Sequence, residues 1–319
     1  MRRNANMPAI RKTLAKCAPL KAAYHGLRSG AMSAVCRVSP GLPARFRYRL
    51  ASGRWPDLEE PTIFDEKLQW LNLFWQHPLK ARCGDKFTLR GFVEEFQLGH
   101  LLPELFGVYS STEEIRLENL PDRFVLKCSH GCKCNVFCHD KRSLDWKMAR
   151  ADLDSWMQMD FSMLLGELHY GKMTPRIICE EFLQDGTGQE LPLDYKVYCF
   201  RGRVHCTMVC TGRKPNEGAR LVFYDLEWKQ KLPYGLSDHA ADEDIPRPAA
   251  YEEILECAQR LSGPFPFVRM DFYSINGRAR LGEMTFSPGG CVTADYITGV
   301  GQQELGRLIE LPSVSSELV

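Results

Sequence analysis

The stretch FVRMDFYSINGRARLGEMTFSPGG, residues 267–290, has the pattern of a β-hairpin but carries charges where a core hairpin needs apolar side chains. Side chains alternate along a strand, so Arg269 and Asp271 face one way while the apolar residues between them face the other. Glu283 lies on the predicted return strand, shortly before Ser-Pro-Gly-Gly. The sequence therefore predicts a hairpin with one apolar face and one charged face, and the charged face is a candidate binding surface.

The turn of this hairpin decides whether the two carboxylates meet. Asn276 and Gly277 are typical of a two-residue turn, and opposed residues in a regular hairpin have a constant sum of residue numbers. A strict two-residue turn would place Glu283 on the Met270 face, so Asp271 and Glu283 share a face only with an odd connection or a bulge. If they converge, two hard carboxylates form a natural Mg²⁺ site. The alternative is a solvated ladder of ordinary charged pairs.

Composition limits the class of protein. The chain has 319 residues, of which 44% are hydrophobic and 25% charged, as in a soluble globular protein of one large or several small domains. No apolar run approaches the roughly 18 residues of a membrane-spanning helix, and no secretory signal is visible. The 13 cysteines are an odd number and too dilute for a disulfide scaffold. We therefore expect reduced thiols and a cytoplasmic protein.

Charge is distributed unevenly along the chain. The first 54 residues form a basic leader without any acidic residue, whereas the rest of the chain is net acidic. We expect this leader to contact an anionic membrane surface or polymer; the alternative is a solvated extension. The basic residues of the leader are Arg2, Arg3, Arg11, Lys12, Lys16, Lys21, Arg28, Arg37, Arg45, Arg47, Arg49 and Arg54.

Periodicity predicts a mixed α+β fold with antiparallel sheets and helices on one side. Ser143 is the expected cap of the helix at 143–158. The predicted helices are 62–75, 84–99, 143–158, 251–261 and 301–311. The predicted strands are 123–128, its partner after a polar turn at 129–134, 176–183, 193–200, 203–210, 220–226 and the two arms of the opening hairpin.

Several other residues suit a nucleotide site. Lys127 ends an apolar strand beside a polar loop, where a lysine can act as a point charge on phosphates; the alternative is a solvated strand-end lysine. Glu180 and Glu181 precede Phe182 and Leu183 at a strand end that can offer backbone groups and a carboxylate to adenine. The alternative is an exposed strand end.

The order of these features resembles the ATP-grasp fold. The stretches FDEKLQWLNLF, DKFTLRGFV, FVLKCSHG, PRIICEEFL, DYKVYCF, FPFVRMDFY and GEMTFSPGG are similar to the TupA-like ATP-grasp family, named for a teichuronopeptide biosynthesis protein. The resemblance extends from about Trp55 to Pro312. It implies two α+β subdomains that grip ATP between antiparallel sheets. The implied divisions are the leader 1–54, an N-terminal helical subdomain 55–122, a central subdomain 123–185, a C-terminal subdomain with the Mg²⁺ site 186–312, and a tail 313–319.

The resemblance also implies roles for individual residues. Lys86 and Lys127 would bind ATP phosphates, and Arg269 with Lys127 would act on the reacting acyl phosphate. The remaining implied site residues are Glu180, Glu181, Phe182 and Leu183 at adenine, Asp194 and Lys196 near ribose and phosphates, and Asp271, Glu283 and Thr285 at Mg²⁺. Two features depart from the fold's usual pattern: Thr285 stands where Asn is common, and the loop SHGCKCN, which contains Lys133, is not glycine-rich.

The implied activity is that of an ADP-forming carboxylate–amine ligase with ATP and Mg²⁺ as cofactors. Its expected substrates are an amino acid and a uronic-acid-containing cell-surface polysaccharide or its precursor. We expect a cytoplasmic enzyme with peripheral contact at the inner face of the membrane, and no nucleic acid partner.

Three alternatives stay open at this point. A kinase would use the same ATP site to phosphorylate a glycan hydroxyl. A non-catalytic binding module would use its basic leader to bind nucleic acid or a membrane. A zinc site is the third, because soft ligands are dense between positions 128 and 139, although their spacing is not that of paired C-x-x-C motifs. The residues concerned are Cys128, His130, Cys132, Cys134, Cys138 and His139.

Overall fold

The structure is a computed structural model and describes residues 41–162, 166–185, 191–211, 220–236 and 244–313. Residues 1–40 of the predicted leader and residues 314–319 of the tail therefore lie outside the described residues. The helices are α1 (Leu42–Ser52), α2 (Phe64–Phe74), α3 (Pro78–Gly84), α4 (Thr88–Glu95), α5 (Trp146–Met157), α6 (Tyr251–Ser262) and α7 (Gly299–Leu308). The strands are β1 (Leu105–Tyr109), β2 (Phe124–Cys128), β3 (Asn135–Cys138), β4 (Ile177–Glu181), β5 (Asp194–Phe200), β6 (Arg203–Thr211), β7 (Arg220–Tyr224), β8 (Lys231–Leu232), β9 (Val268–Ile275) and β10 (Arg278–Thr285).

Two antiparallel sheets organise the chain, which confirms the predicted α+β class. The first has four strands in the order β1-β4-β2-β3, and the second has six in the order β10-β9-β5-β6-β7-β8. All the paired strands in both sheets run antiparallel. The predicted helices and strands are present with shifted boundaries, and α1, α3, β1 and β8 are additional to those that the sequence predicted.

The six-stranded sheet separates two apolar layers. On one side Met270 and Phe272 of β9 pack with Leu261 of α6 and with α4. On the other side Phe267 and Tyr198 pack with α2 and α7. A third apolar cluster joins the four-stranded sheet to α5. The apolar face predicted for β9 is therefore core, as its alternation requires.

Asp65, in the first turn of α2, makes tertiary contacts in addition to its favourable interaction with the helix dipole. Asp65 is 2% exposed and accepts hydrogen bonds from the backbone amides of Thr293 and Ala294, at 2.9 and 3.1 Å. Burial raises the pKa of Asp65, against the lowering effect of these hydrogen bonds. The contact ties the segment that follows β10 to α2, and so holds the loop 287–290 in place.

The cap of α5 differs from the prediction. The helix begins at Trp146, and the side chain of Asp145 accepts a hydrogen bond from the Met148 amide at 3.0 Å. Ser143 belongs instead to a short 3₁₀ turn that precedes the helix. The prediction of Ser143 as the cap was wrong because Asp145, two residues later, offers a stronger acceptor at the same helix end.

The final part of the predicted leader is packed onto the rest of the protein. In α1, Ala44 and Tyr48 are 2% and 1% exposed. Arg54 forms an ion pair with Glu66 of α2 at 2.6 Å. None of the helices in the described part of the chain has the length and apolar character needed to cross a bilayer.

Candidate functional site

A cleft of about 690 Å³ lies against both sheets. Lys127 and Phe137 line it from the four-stranded sheet, and Lys196, Asp271 and Glu283 line it from the six-stranded sheet. A cleft of this size is large enough for a nucleotide or a ligand of similar volume. The two sheets therefore bring together residues that lie more than a hundred positions apart in the sequence.

A β-bulge at Gly282 decides the arrangement of the charged hairpin. The turn is a two-residue turn, with Asn276 at φ 51° and Gly277 at φ 76°, so regular pairing would have placed Glu283 on the Met270 face. The register shifts between Leu281 and Glu283, however, and Glu283 lies directly opposite Asp271. The extra residue restores the shared face that the sequence left open.

Glycine is required at the bulge by the close approach of neighbouring atoms. A Cβ at Gly282 would lie 2.9 Å from the Tyr273 ring and 3.2 Å from the Asp271 carbonyl oxygen. The second of these atoms is backbone, which cannot rotate away. Gly282 thus allows the bulge that brings the two carboxylates together, because it has no side chain to occupy this space.

Three charged residues form a row across three neighbouring strands. Lys196 of β5 lies opposite Asp271 of β9, which lies opposite Glu283 of β10. The Lys196 ammonium contacts the carboxylates of both Asp194 and Asp271. Arg269 binds Asp271 in a bidentate contact, in which Nε and Nη2 each donate a hydrogen bond of 2.7 Å to the carboxylate. The row is the centre of the candidate site.

Burial and charge act in opposite directions on Asp271, which is 2% exposed. Burial alone would raise the pKa of its carboxyl, but the adjacent Arg269 and Lys196 hold that pKa below its usual value. Asp271 is therefore an anion at neutral pH. For the same reason the two cations stay charged, since the nearby carboxylates raise the pKa of each despite burial.

The donor groups on this face fit Mg²⁺. Glu283 is the more open carboxylate, with a side chain that is 35% exposed. The Thr285 hydroxyl lies 3.3 Å from the Glu283 Oε1 atom and 3.3 Å from the Arg269 Nη2 atom. Two hard carboxylates and a hydroxyl on one sheet face are ligands that Mg²⁺ prefers, with phosphate and water oxygens completing the shell.

Lys127 and Glu180 form a buried ion pair. The Lys127 Nζ atom lies 2.8 Å from the Glu180 Oε2 atom, and Arg90 of α4 binds the other carboxylate oxygen at 3.1 Å. Glu180 is 5% exposed and its side chain does not line the cleft, whereas residues 181–183 do. The structure thus places the Glu180 carboxylate on Lys127, while the next three residues line the cleft.

Lys86 connects the polar loop to the carboxylates. Its Nζ atom donates to the Gly131 carbonyl oxygen at 2.5 Å and lies 3.8 Å from Glu283 Oε2. The preceding Asp85 accepts from the Ser129 hydroxyl at 2.7 Å and from the backbone amides that begin α4. Lys86 is therefore fixed between the loop 129–134 and the charged row.

The residues proposed for zinc do not form a ligand group in the described part of the chain, where no three His, Cys, Asp or Glu side chains are placed to hold a metal ion together. Cys128, Cys134 and Cys138 face the apolar cluster of the four-stranded sheet. Burial raises the pKa of Cys128 to about 12, so this thiol stays protonated. His139 instead packs on the Phe182 ring, with centroids 4.7 Å apart. Cys128 and Cys134 are neighbours at one end of the β2–β3 pair, whereas Cys138 lies at the other end, so the six proposed ligands do not converge.

The structure adds residues to the cleft that no sequence motif indicated. Burial raises the pKa of Glu167 to about 7, against the hydrogen bond from Ser287 and the positive charge of Arg47. The Arg47 Nη2 atom donates to the Gly289 carbonyl oxygen at 2.8 Å. These residues, with Tyr170 and Tyr296, line the cleft. They come from distant segments without a shared spacing, so only the glycine pair 289–290 was visible in the sequence.

Comparison with known families and structures identifies one family. The profile described as TupA-like ATPgrasp matches residues 66–310. No protein of curated function matches the sequence. The chain thus matches one family over most of its length.

Similar solved structures belong to several ligases. One is a D-alanine–D-alanine ligase from Bacillus anthracis in complex with ATP, with 12% identity, a TM-score of 0.43, and coverage of 72% of this chain and 66% of that chain. Another is the ATP-grasp ligase PsnB with a minimal precursor, Mg and ADP, with 14% identity, a TM-score of 0.38, and coverage of 70% and 58%. A third is the D-alanine–D-alanine ligase from Helicobacter pylori, with 13% identity, a TM-score of 0.39, and coverage of 71% and 58%. The chain spans about two thirds or less of the length of these three structures.

Proposed function

The chain belongs to the TupA-like ATP-grasp family, and from that premise we propose that it is an ATP-dependent carboxylate–amine ligase that forms ADP. The observation that carries the proposal is the row of Lys196, Asp271 and Glu283, which faces Lys127 across one cleft. Anionic groups that could hold Mg²⁺ and cationic groups that could hold phosphates are thus combined in a single space.

The nucleotide would occupy the part of the cleft between the two sheets. The backbone of residues 181–183 would bind the adenine edge, since these residues line the cleft while the Glu180 carboxylate is engaged by Lys127. Lys86, Lys127 and Lys196 would neutralise the phosphates as point charges. Each lysine already contacts a carboxylate, which holds it in position before a ligand arrives.

Asp271, Glu283 and Thr285 would hold Mg²⁺. When bound, the metal would supply charge neutralisation for the transferring phosphoryl group. Arg269 orients the Asp271 carboxylate through its two hydrogen bonds and contacts Thr285, so it fixes two of the three donors. Arg269 is 8% exposed and lines the cleft, which also makes it a candidate for contact with the reacting acyl group.

The proposed reaction has two steps. A substrate carboxylate oxygen attacks the terminal phosphorus of ATP, the bond between that phosphorus and the bridging oxygen breaks, and an acyl phosphate and ADP form. An amine nitrogen then attacks the acyl carbon, and phosphate leaves as the amide forms. The amine gives up a proton in this second step, so a proton acceptor beside the cleft is needed.

Glu167 is suited to accept that proton. Its carboxyl is buried at the cleft wall beside Ser287, and burial raises its pKa to about 7. A group with such a pKa is partly ionised at neutral pH, as a general base requires. Its position beside Arg47 and the loop 287–290 favours this end of the cleft for the acceptor substrate.

We further propose that the enzyme joins an amino acid to a uronic-acid-containing polysaccharide or its precursor. Arg47 beside the cleft and the acid-free leader suit an anionic glycan. We place the reaction in the cytoplasm at the inner face of the membrane. The free thiols throughout the described part of the chain support a reducing compartment.

A screen for turnover tests the proposal. Purified protein with ATP and Mg²⁺ is incubated with combinations of amino acids and uronic-acid acceptors, and ADP release and product mass are measured. We expect a product mass that equals the acceptor plus an amino acid minus water. The double variant Asp271→Asn with Glu283→Gln should lack Mg²⁺-dependent turnover while keeping its fold. A product that gains only phosphate would establish a kinase instead, and full activity of the double variant would reject the metal site.

A further inference from the structure

The outer face of α1 combines exposed apolar side chains with arginines. Leu42, Phe46 and Leu50 recur every four residues and form one stripe, with exposed fractions of 40%, 47% and 60%. Arg45 and Arg49 are exposed and lie along one edge of this stripe. We call these five residues the α1 outer face.

Trp55 extends the apolar stripe beyond the helix. Its side chain is 53% exposed, and its ring centroid lies 6.4 Å from that of Phe46. Soluble proteins rarely expose several large apolar side chains in contact unless the surface binds something. The α1 outer face with Trp55 is therefore a candidate interaction surface.

The buried side of α1 anchors the helix, so α1 cannot rotate to bury its apolar stripe. Pro43, Ala44 and Tyr48 are buried against the protein. The backbone of Ala44 fills the space where Gly166 lacks a side chain, with an added Cβ only 2.8 Å away. The ion pair of Arg54 with Glu66 fixes the segment that follows. The helix is thus held with its apolar stripe directed away from the core.

We propose that the α1 outer face docks on the surface of an anionic lipid bilayer. Interfacial helices insert Leu, Phe and Trp side chains among the lipid headgroups while Lys and Arg residues contact anionic lipids. The chain up to residue 56 contains no acidic residue, so the charge of this region matches an anionic surface throughout.

Two other occupants fit the face less well. A nucleic acid would match the arginines but offers no apolar partner for Leu42, Phe46 and Leu50. A second copy of the chain, packed face to face by two-fold symmetry, would add two more arginines to the interface without any acidic residue of the α1 outer face to pair with them. A bilayer satisfies both the apolar and the charged members of the face.

The same helix also borders the cleft. Arg47, on the inner side of α1, donates to the Gly289 carbonyl oxygen at 2.8 Å. One helix therefore carries the docking surface on its outer side and contacts the cleft wall formed by residues 287–290 on its inner side. Docking does not depend on the proposed function; its consequence for the reaction does, because a membrane-held acceptor would then approach the cleft at the end where Glu167 lies.

Vesicle flotation of the full chain tests the docking. Vesicles of phosphatidylcholine alone are compared with vesicles that also contain phosphatidylglycerol, and we expect binding only to the second kind. Phe46→Glu combined with Leu50→Glu should lower the partition coefficient by about tenfold or more, since apolar insertion is lost. Arg45→Gln and Arg49→Gln should each lower it roughly fivefold at low salt, and less at high salt.

A matched control separates the face from general hydrophobicity. Met148 on α5 is 64% exposed. Met148→Glu therefore also replaces an exposed apolar side chain with a carboxylate, but on another surface, and it should leave vesicle binding unchanged. Trp55 reports directly on insertion into the bilayer. Lipid-borne bromine should quench part of the tryptophan fluorescence of the bound wild-type protein, and this quenching should be absent in Trp55→Phe. Unfolding curves of all variants check that the fold persists.

Several outcomes would overturn the inference. They are equal binding to neutral and anionic vesicles, wild-type binding by the Phe46 and Leu50 double variant, and a dimer that this double variant dissociates. Tighter binding to duplex DNA than to vesicles would assign the face to nucleic acid. Vesicle binding is measured without ATP or substrate, so its failure leaves the proposed ligase activity standing, and absent turnover leaves the docking standing.

Discussion

At the scale of single residues, the pair of Lys127 and Glu180 separates nucleotide binding from structural support. Lys127 lines the cleft, whereas Arg90 binds the same Glu180 carboxylate without lining it. We predict that Lys127→Met weakens ATP binding by about tenfold or more, because a charge-assisted contact contributes roughly 1.5–3 kcal/mol. Titration calorimetry measures this affinity.

Arg90→Met is the control for this prediction, since it removes the other cation from Glu180. Both variants should lose about 1–3 kcal/mol of unfolding free energy, because each leaves the buried carboxylate with one partner. Only the Lys127 variant should lose most of its ATP affinity. Equal loss of affinity in both variants would mean that the ion pair is structural and that Lys127 does not touch the nucleotide.

Glu167 should make the stability of the protein depend on pH. Burial raises the pKa of its carboxyl from 4.5 to about 7, so between these pH values the folded state binds more protons than the unfolded state. The free energy of unfolding should therefore fall as pH rises through this window, by about 3 kcal/mol for this group. Glu167→Gln should remove that part of the slope, as measured by urea unfolding from pH 4.5 to 7.

Neighbouring charges define how this experiment is read. The positive charges of Arg47 and Lys80 lower the Glu167 pKa, and Glu283 raises it. Burial lowers the pKa of Lys80 to about 8, so measurements below pH 7 avoid its titration. Glu118→Gln, at an exposed position, should leave the slope unchanged. A Glu167→Gln variant with the slope of the wild type would show that this carboxyl ionises normally.

At the scale of elements, the bulge in the β9–β10 hairpin should be essential to the metal site. Gly282→Ala places a Cβ against the Asp271 carbonyl oxygen and the Tyr273 ring, which should cost about 1–3 kcal/mol of unfolding free energy. Relief of the clash moves Glu283 relative to Asp271. Mg²⁺-dependent ATP turnover should therefore fall by more than the loss of folded protein alone would explain. Enzyme assays over a range of Mg²⁺ concentrations measure the change.

Gly277→Ala in the turn of the same hairpin is the matched control. Its positive φ of 76° makes alanine unfavourable, but the added Cβ would be 4.0 Å from the nearest atom. We expect a loss of about 1 kcal/mol with an unchanged Mg²⁺ dependence. If both glycine variants lost Mg²⁺ dependence equally, hairpin stability rather than the bulge would control the site.

At the scale of the whole molecule, the last part of the basic N-terminal region, residues 41–54, is packed onto the rest of the protein. Tyr48 and Ala44 are buried, Arg54 pairs with Glu66, and Arg47 reaches the cleft. Among the described residues, those that line the cleft begin at Arg47, and on that basis we expect removal of residues 1–40 to leave ATP affinity unchanged. Removal of residues 1–54 should cost about 3 kcal/mol or more, since the apolar contacts of Tyr48 are lost.

Denaturant unfolding and ATP titration of the two truncated proteins check both expectations. Equal stability of the two would show that α1 contributes no packing energy. Reduced ATP affinity after removal of residues 1–40 would show instead that the segment before α1 contributes to the nucleotide site.

Much of the fold was predictable because secondary structure follows local patterns. The alternation in residues 267–273, the Asn-Gly turn and the amphipathic segments depend on neighbouring residues only. The family resemblance added the candidate site residues, and the structure places Lys86, Lys127, Lys196, Asp271 and Glu283 along one cleft. The sequence by itself therefore determined the α+β class, the strands and the charged face of the hairpin.

Tertiary structure decided what depends on contacts between distant segments. The two-residue turn favoured the wrong face for Glu283, and only the bulge packed against Tyr273 restored it. Glu167 and Arg47 reach the cleft from segments that share no spacing with the hairpin. Strand register and the convergence of remote side chains are set by packing in three dimensions, and no local pattern encodes either of them.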